Sequence, residues 1–266
     1  MNQSRNEVWL NLDQIIDDQL NLQVKMSYDR HHQFMLKHKL GECKSVLDVG
    51  TGNGLFVRTL AHDHPEIQFT GIDLRQHLVD RCNSVPMPNV RTERVDMQDP
   101  LSVFDFSQFD AVVMRYFLLH VPNAKEILQG LKSKMKQGTR FYIVDVDLSV
   151  FECTPENATF EKLKRLIGQF CEKNSIDTHA GQKLMPIFQE LGFSDIIGVS
   201  DPFSTRTSSL DDMVRFMRQE ALCYSQLTGR SENDVETAEI LDFIEKQVGS
   251  GKFNVDYGMI LWHATI

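Results

Sequence analysis

The chain has 266 residues, 41% of them hydrophobic and 24% charged, which is enough to bury one large core. Its net charge of −9 weighs against a general nucleic-acid binder, because a phosphate backbone rewards basic surfaces. No apolar run reaches the length of a membrane span, the opening MNQSRNEVWLNLDQ lacks the order of a signal peptide, and Cys43, Cys82, Cys153, Cys171 and Cys223 form no CxxC pair. A cytoplasmic protein without membrane contact, structural zinc or a disulfide framework is expected.

Residues 1–40 carry amphipathic helical spacing, with Val8, Leu12, Ile15 and Ile16 followed by Leu20, Leu22 and Val24, and are expected to form a helical cap segment. The run VLDVGTGNG (46–54) then joins a buried strand to a glycine-rich turn, with glycines at 50, 52 and 54. A helix is predicted to begin near Leu55, its free N–H groups and positive dipole end turned toward a ligand. The dinucleotide fingerprint would read GxGxxG; here the spacing is GxGxG, led by Asp48 inside the strand. Phosphate sits poorly beside that carboxylate. A ligand bearing both an ammonium and a carboxylate fits better, the first drawn to Asp48 and the second to the turn.

Farther on, FTGID (69–73) reads as a second strand ending in Asp73, placed to accept hydrogen bonds from ribose hydroxyls. A third strand near Val95 ends in Asp96 and Met97, an acceptor and a soft apolar side chain suited to an adenine edge and face. Strand-like runs at 45–49, 67–72, 110–114 and 139–146 alternate with helix-length segments, the pattern of a doubly wound α/β sheet. FDAVVMRYFLLHVPNAKEILQGLKSKMKQGTRFYIVDVD (109–147) reads as strand, helix and strand. GQKLMPIFQELGF (181–193) is a helix leading into another strand, and VDYGMILWHATI (255–266) is a closing strand. Residues 207–250 insert two or three helices before it, with Ser208 or Ser209 and Ser231 as N-cap candidates.

These stretches, in this order and spacing, resemble the class I S-adenosylmethionine-dependent methyltransferases. The resemblance implies a Rossmann-like seven-stranded sheet over residues 41–206 plus 251–266, with the segments 1–40 and 207–250 completing a helical cap. It implies S-adenosylmethionine as cofactor, held by Asp48, Gly50, Thr51, Gly52, Asn53, Asp73, Leu74, Asp96, Met97 and Arg115. In some small-molecule members a histidine near the place of His120 serves as general base; the plainer reading is that His120 caps or packs its helix. A tyrosine in the N-terminal segment can close over the cofactor, which nominates Tyr28, and Tyr116 follows the strand end where the amino group is held; each is equally readable as a half-buried aromatic. Of Asp145 and Asp147, one should face the cleft unless both cap the segment beyond. Met213 and Met217, with Phe216, read either as an apolar acceptor pocket or as ordinary core.

No metal is expected. His31 and His32 are adjacent, His62 and His64 flank Asp63, and neither pair has ligand spacing, so a solvated surface is predicted for both. MRYF (114–117) stands where relatives that methylate bases or glutamine carry an Asn/Asp-Pro-Pro-Tyr/Phe motif. The expected function is therefore methyl transfer from S-adenosylmethionine to a small-molecule acceptor, and the segment that forms the cap admits exchange between two copies in a homodimer. A non-catalytic S-adenosylmethionine-binding scaffold of the same fold is the alternative, and the GxGxG spacing counts against a nicotinamide oxidoreductase.

Overall fold

The computed structural model describes residues 13–99 and 104–266. Val8 and Leu12 lie outside the described residues, as do the side chains of Ile15 and Ile16. In chain order the helices are α1 (Asp13–Lys37), α2 (Leu55–Asp63), α3 (Gln76–Asn83), α4 (Ala124–Lys134), α5 (Ala158–Lys173), α6 (Ala180–Glu190), α7 (Leu210–Leu227) and α8 (Val235–Asp242). The strands are β1 (Ser45–Val49), β2 (Gln68–Asp73), β3 (Val90–Arg94), β4 (Ala111–Arg115), β5 (Arg140–Val146), β6 (Glu152–Thr154), β7 (Ser194–Ser200), β8 (Phe203–Ser204), β9 (Asn254–Tyr257) and β10 (Met259–Thr265).

Seven strands form one sheet in the order β3-β2-β1-β4-β5-β10-β7. The run from β3 to β5 is parallel, and β10 pairs antiparallel with β7. The central strands are almost continuously apolar, as a sheet covered on both faces requires: Val46, Leu47, Val49, Val112, Val113, Met114 and Phe141 are all buried. The glycine turn begins where β1 ends. Gly54 has φ +75°, and a Cβ there would run into the side chain of Cys82, so no other residue can open α2 at this point without displacing α3.

The chain divides into two compact units. The sheet unit holds residues 28–146, 179–201 and 260–266. The helical unit holds residues up to 27, 147–178 and 202–259. The boundaries lie elsewhere than the sequence suggests, because 147–178, 202–206 and 251–259 cluster with the helices and 28–40 clusters with the sheet. The apolar stripe of α5 explains the first: Phe170 packs on Tyr224 of α7 with ring centres 4.9 Å apart, and Lys162 reaches Glu239 of α8 at 2.5 Å. The run 255–266 is not one strand. At Gly258 the carbonyl of Asp147 occupies the space a Cβ would need, and the Asp147 N–H donates to the Gly258 carbonyl at 2.9 Å. The chain breaks there, so β9 pairs with β6 and β8 in a three-stranded sheet while β10 closes the large one.

Candidate active site at the carboxyl ends of the strands

Because β1 to β5 run parallel, their carboxyl ends open on one edge, and Asp48, Asp73, Asp96 and Arg115 lie at or just past the ends of β1, β2, β3 and β4 there. Asp48 is 4% exposed. Its carboxylate accepts the Thr51 hydroxyl at 2.7 Å, and burial pushes its pKa up to about 6 even though the Thr51 bond and the nearby Arg115 charge pull the other way. An under-compensated negative charge therefore sits beneath the glycine turn.

The turn itself is pinned to β2. The N–H groups of Gly50 and Thr51 donate to the Ile72 carbonyl at 2.8 and 3.0 Å, and the Gly52 N–H donates to Asp73 at 3.0 Å. These amides are engaged within the protein, and so is the Gly54 N–H, which donates to the Thr51 carbonyl at 3.0 Å. Asn53, buried, caps the start of α2 by accepting the Leu55 N–H at 3.1 Å, and the ring of Phe117 lies over Gly50.

Asp73 is buried at the end of β2, and its other oxygen accepts both the Arg75 N–H at 2.9 Å and Arg75 Nε at 3.3 Å, which leaves the oxygen bonded to Gly52 with a second lone pair for a hydroxyl. Leu74 beside it is exposed. Asp96 is exposed after β3 and holds its loop by accepting the Gln98 N–H at 2.8 Å, while Met97 packs against the main core. Asp96 and Met97 also line a cavity of about 260 Å³ with Phe106, Asn123, Ile127 and Lys134; this cavity touches neither Asp48 nor Asp73. Carboxylates at three successive strand ends, the innermost dry and raised in pKa, fit the cationic and hydroxyl-bearing ends of S-adenosylmethionine.

Arg115 closes β4 with its guanidinium 3.9 Å above the Phe56 ring centre and 5.3 Å from that of Tyr116. Tyr116 takes φ +52°, a left-handed backbone uncommon for a residue with a Cβ. Tyr28 meets Phe56 edge-on, yet its hydroxyl donates to Asp63 at the far end of α2 at 2.6 Å; in this conformation it does not reach the glycine turn. His120 lies exposed in the short turn of helix at Leu118–His120.

Asp145 near the end of β5 and Asp147 just after it both act as caps. Asp145, fully buried, accepts the N–H groups of Leu118 and Leu119 at 2.9 and 3.2 Å, and so builds the loop that follows Tyr116; its sequence position alone could not separate this from a cleft-facing role. Asp147 caps the next turn through Ser149. Met213 and Met217 are buried in the core of the helical unit, where Phe216 packs on Phe203 and Tyr257.

The histidines depart from the sequence reading. Of His31, His32, His62 and His64, His62 alone is solvated, at 83% side-chain exposure. His31 is fully buried against Asp201, and His32 places Nε2 2.7 Å from Nε2 of His64. Packing of α1 after residue 27 against the sheet unit accounts for both, since adjacent helical residues point about 100° apart and each finds its own buried neighbour. No group of three ligand side chains converges among the described residues.

A family pattern described as a methyltransferase domain matches residues 40–192. Methyltransferase str2 of Strobilurus tenacellus is 24% identical over 155 residues, covering 56% of this chain and 53% of its own. The chain thus spans about half the length of the curated relatives it matches. The solved structure of phosphoethanolamine N-methyltransferase 2 of Haemonchus contortus, bound to phosphomonomethylethanolamine and S-adenosylhomocysteine, superposes with a TM-score of 0.54 at 15% identity, covering 84% of this chain and 48% of that one. The [4+2]-cyclase SpnF superposes with a TM-score of 0.52 at 21% identity, covering 83% and 74%. At such identities the structural likeness carries the fold alone.

Proposed function

The chain belongs to the methyltransferase domain family, whose class I members draw the methyl group from S-adenosylmethionine, and from that premise we propose that it methylates a small organic acceptor. The observation that carries the reading is Asp48, a dry carboxylate under a glycine turn inside the matched segment. S-adenosylmethionine, when bound, supplies a methyl group already activated on a sulfonium. What remains for the protein is to bind, orient and exclude water. Asp48 offers the charge complement for an ammonium or sulfonium, Asp73 accepts from ribose hydroxyls, and Asp96 with Met97 offers an edge and a face to adenine. Holding the reactants in line replaces translational entropy and can supply on the order of 7–11 kcal/mol of the barrier.

Three features support a small acceptor. MRYF stands in place of the base- and glutamine-directed motif, the net charge is −9, and a structural neighbour was solved with a small phosphorylated amine. Soluble cytoplasmic action belongs to the same proposal; among the described residues no helix is long and apolar enough to cross a membrane. The test is release of S-adenosylhomocysteine with panels of hydroxyl, amine and thiol acceptors beside tRNA and protein. Turnover confined to small molecules supports the reading, and turnover confined to macromolecules refutes it. The cyclase neighbour favours one second reading, a protein that binds the cofactor without transferring its methyl; cofactor binding with no release on any acceptor would decide for that.

A further inference from the structure

His32 on α1 and His64 just past the end of α2 come from different elements, and the fold turns them toward one another. Their Nε2 atoms stand 2.7 Å apart, with ring centres 5.0 Å apart and planes at 84°. A carboxylate stands at the other nitrogen of each ring. Nδ1 of His64 lies 3.2 Å from Glu66 Oε1, and Nδ1 of His32 lies 3.8 Å from Asp63 Oδ2, an oxygen that also accepts the Tyr28 hydroxyl at 2.6 Å. The backbone under His64 is fixed, since its N–H donates to the Leu60 carbonyl at 2.9 Å and its carbonyl accepts Asn89 Nδ2 at 3.2 Å. The two side chains are 13% and 11% exposed, covered by protein yet not sealed from water. A neutral pair carries one proton per ring, and a hydrogen bond between the rings spends one of those protons on an Nε2. If His64 keeps its proton on Nδ1 toward Glu66, His32 donates through Nε2 and its bare Nδ1 lone pair faces Asp63; the opposite choice leaves the same mismatch at Glu66. One hydrogen bond therefore does not use what the four groups offer.

We propose that His32 and His64 are the two protein ligands of a divalent transition-metal ion of the zinc and nickel class, which clamps α1 to the end of α2. An ion between the rings removes the mismatch. The His32 proton moves from Nε2 to Nδ1, where Asp63 accepts it, and both Nε2 lone pairs then point at one centre; neither ring loses a proton. Each ligand thus has a carboxylate holding its far N–H, the arrangement that fixes the tautomer and orientation of metal-bound imidazoles and raises their basicity. Imidazole nitrogens sit roughly 2.0–2.1 Å from zinc, so two of them on a tetrahedral ion stand roughly 3.3 Å apart, and the rings need to part by only roughly 0.6 Å. Two side chains converge rather than three among the described residues, so water fills the remaining positions. Imidazole suits zinc, nickel and copper, whereas magnesium and calcium take oxygen ligands. Sequence spacing hides the pair, because its members lie 32 positions apart on separate helices. The site is at the opposite end of α2 from the glycine turn, and the inference does not depend on the methyltransferase reading.

The experiment titrates the full chain, first stripped with EDTA, with zinc and nickel chloride by calorimetry at pH 7.5, above the ordinary imidazole pKa of about 6.5. Magnesium chloride is the control, and wild type is compared with His32→Ala, His64→Ala, His62→Ala and the double variant Asp63→Asn with Glu66→Gln. Wild type should bind one zinc ion per chain in the micromolar range and give no heat with magnesium. His32→Ala and His64→Ala should each abolish that binding, whereas His62→Ala, which removes an exposed imidazole close by, should leave it unchanged. The double carboxylate variant should weaken it roughly 10- to 100-fold. Zinc should raise the thermal midpoint of wild type and of neither ligand variant. Ring 15N shifts identify the ligands in the wild type itself: saturating zinc should move the Nε2 resonances of His32 and His64 and leave both rings protonated at Nδ1. That measurement carries the test if a variant does not fold. The proposal is overturned by no zinc binding at millimolar concentration, by binding that survives either His32→Ala or His64→Ala, or by an Nε2–H still shared between the two rings under saturating zinc.

Discussion

A carboxylate kept from water destabilises the fold unless a cation joins it, and Asp48 is in that position. Its pKa rises from 3.8 to about 6 chiefly through burial. Below pH 3.8 the group is protonated folded and unfolded alike and costs nothing. Between 3.8 and about 6 the unfolded chain ionises first, so the cost grows with pH, and above 6 it is complete. Asp48→Asn should therefore raise the stability of the cofactor-free protein at pH 7.5 by on the order of 1–3 kcal/mol and leave it unchanged near pH 3.5, while weakening S-adenosylmethionine binding at least tenfold. Thermal unfolding at both pH values, with a parallel titration, reads all three. Tyr116 makes the complementary case. Its φ of +52° stores roughly 1–3 kcal/mol of strain, so Tyr116→Gly should be at least as stable as Tyr116→Ala in urea unfolding, although glycine is the more flexible residue, and both should lose turnover because the ring beside Arg115 is gone.

At the level of elements, the turn after β4 depends on Asp145, which satisfies the two backbone N–H groups at Leu118 and Leu119. Asp145→Ala orphans both and should lower unfolding free energy by on the order of 2–4 kcal/mol in urea denaturation; Asp145→Asn, which keeps an acceptor, should retain most of it. Much of this scale was legible in the sequence. β1, the glycine turn and the start of α2 at Leu55 fall where the residues 46–55 predict, because buried β-branched runs and a glycine at positive φ admit few structures. Other features had no local signal. The alternation of 255–266 reads as one strand, and the break at Gly258 comes from a distant carbonyl. The burial of His31 depends on Asp201, 170 positions away, and Asp145 reads equally as a cleft residue or a cap until residues 118 and 119 are brought beside it.

Across the molecule, the sheet is buried at its centre and open at one rim. Val46, Leu47, Val112 and Val113 are fully buried, whereas Ile197 and Val199 on the edge strand β7 are 39% and 45% exposed. Amide exchange should be slowest in β1 and β4 and markedly faster in β7, as edge strands open first. Equal protection in the two would contradict this account of the core. The claim on which the functional account turns is that the strand ends hold S-adenosylmethionine. The most direct measurement is isothermal titration of the full chain with S-adenosylmethionine, S-adenosylhomocysteine and NAD. Micromolar binding of the first two, lost in Asp73→Ala by roughly 1–3 kcal/mol, with no heat from NAD, is the predicted result. A folded protein that binds neither sulfur ligand, or that binds NAD instead, would contradict it.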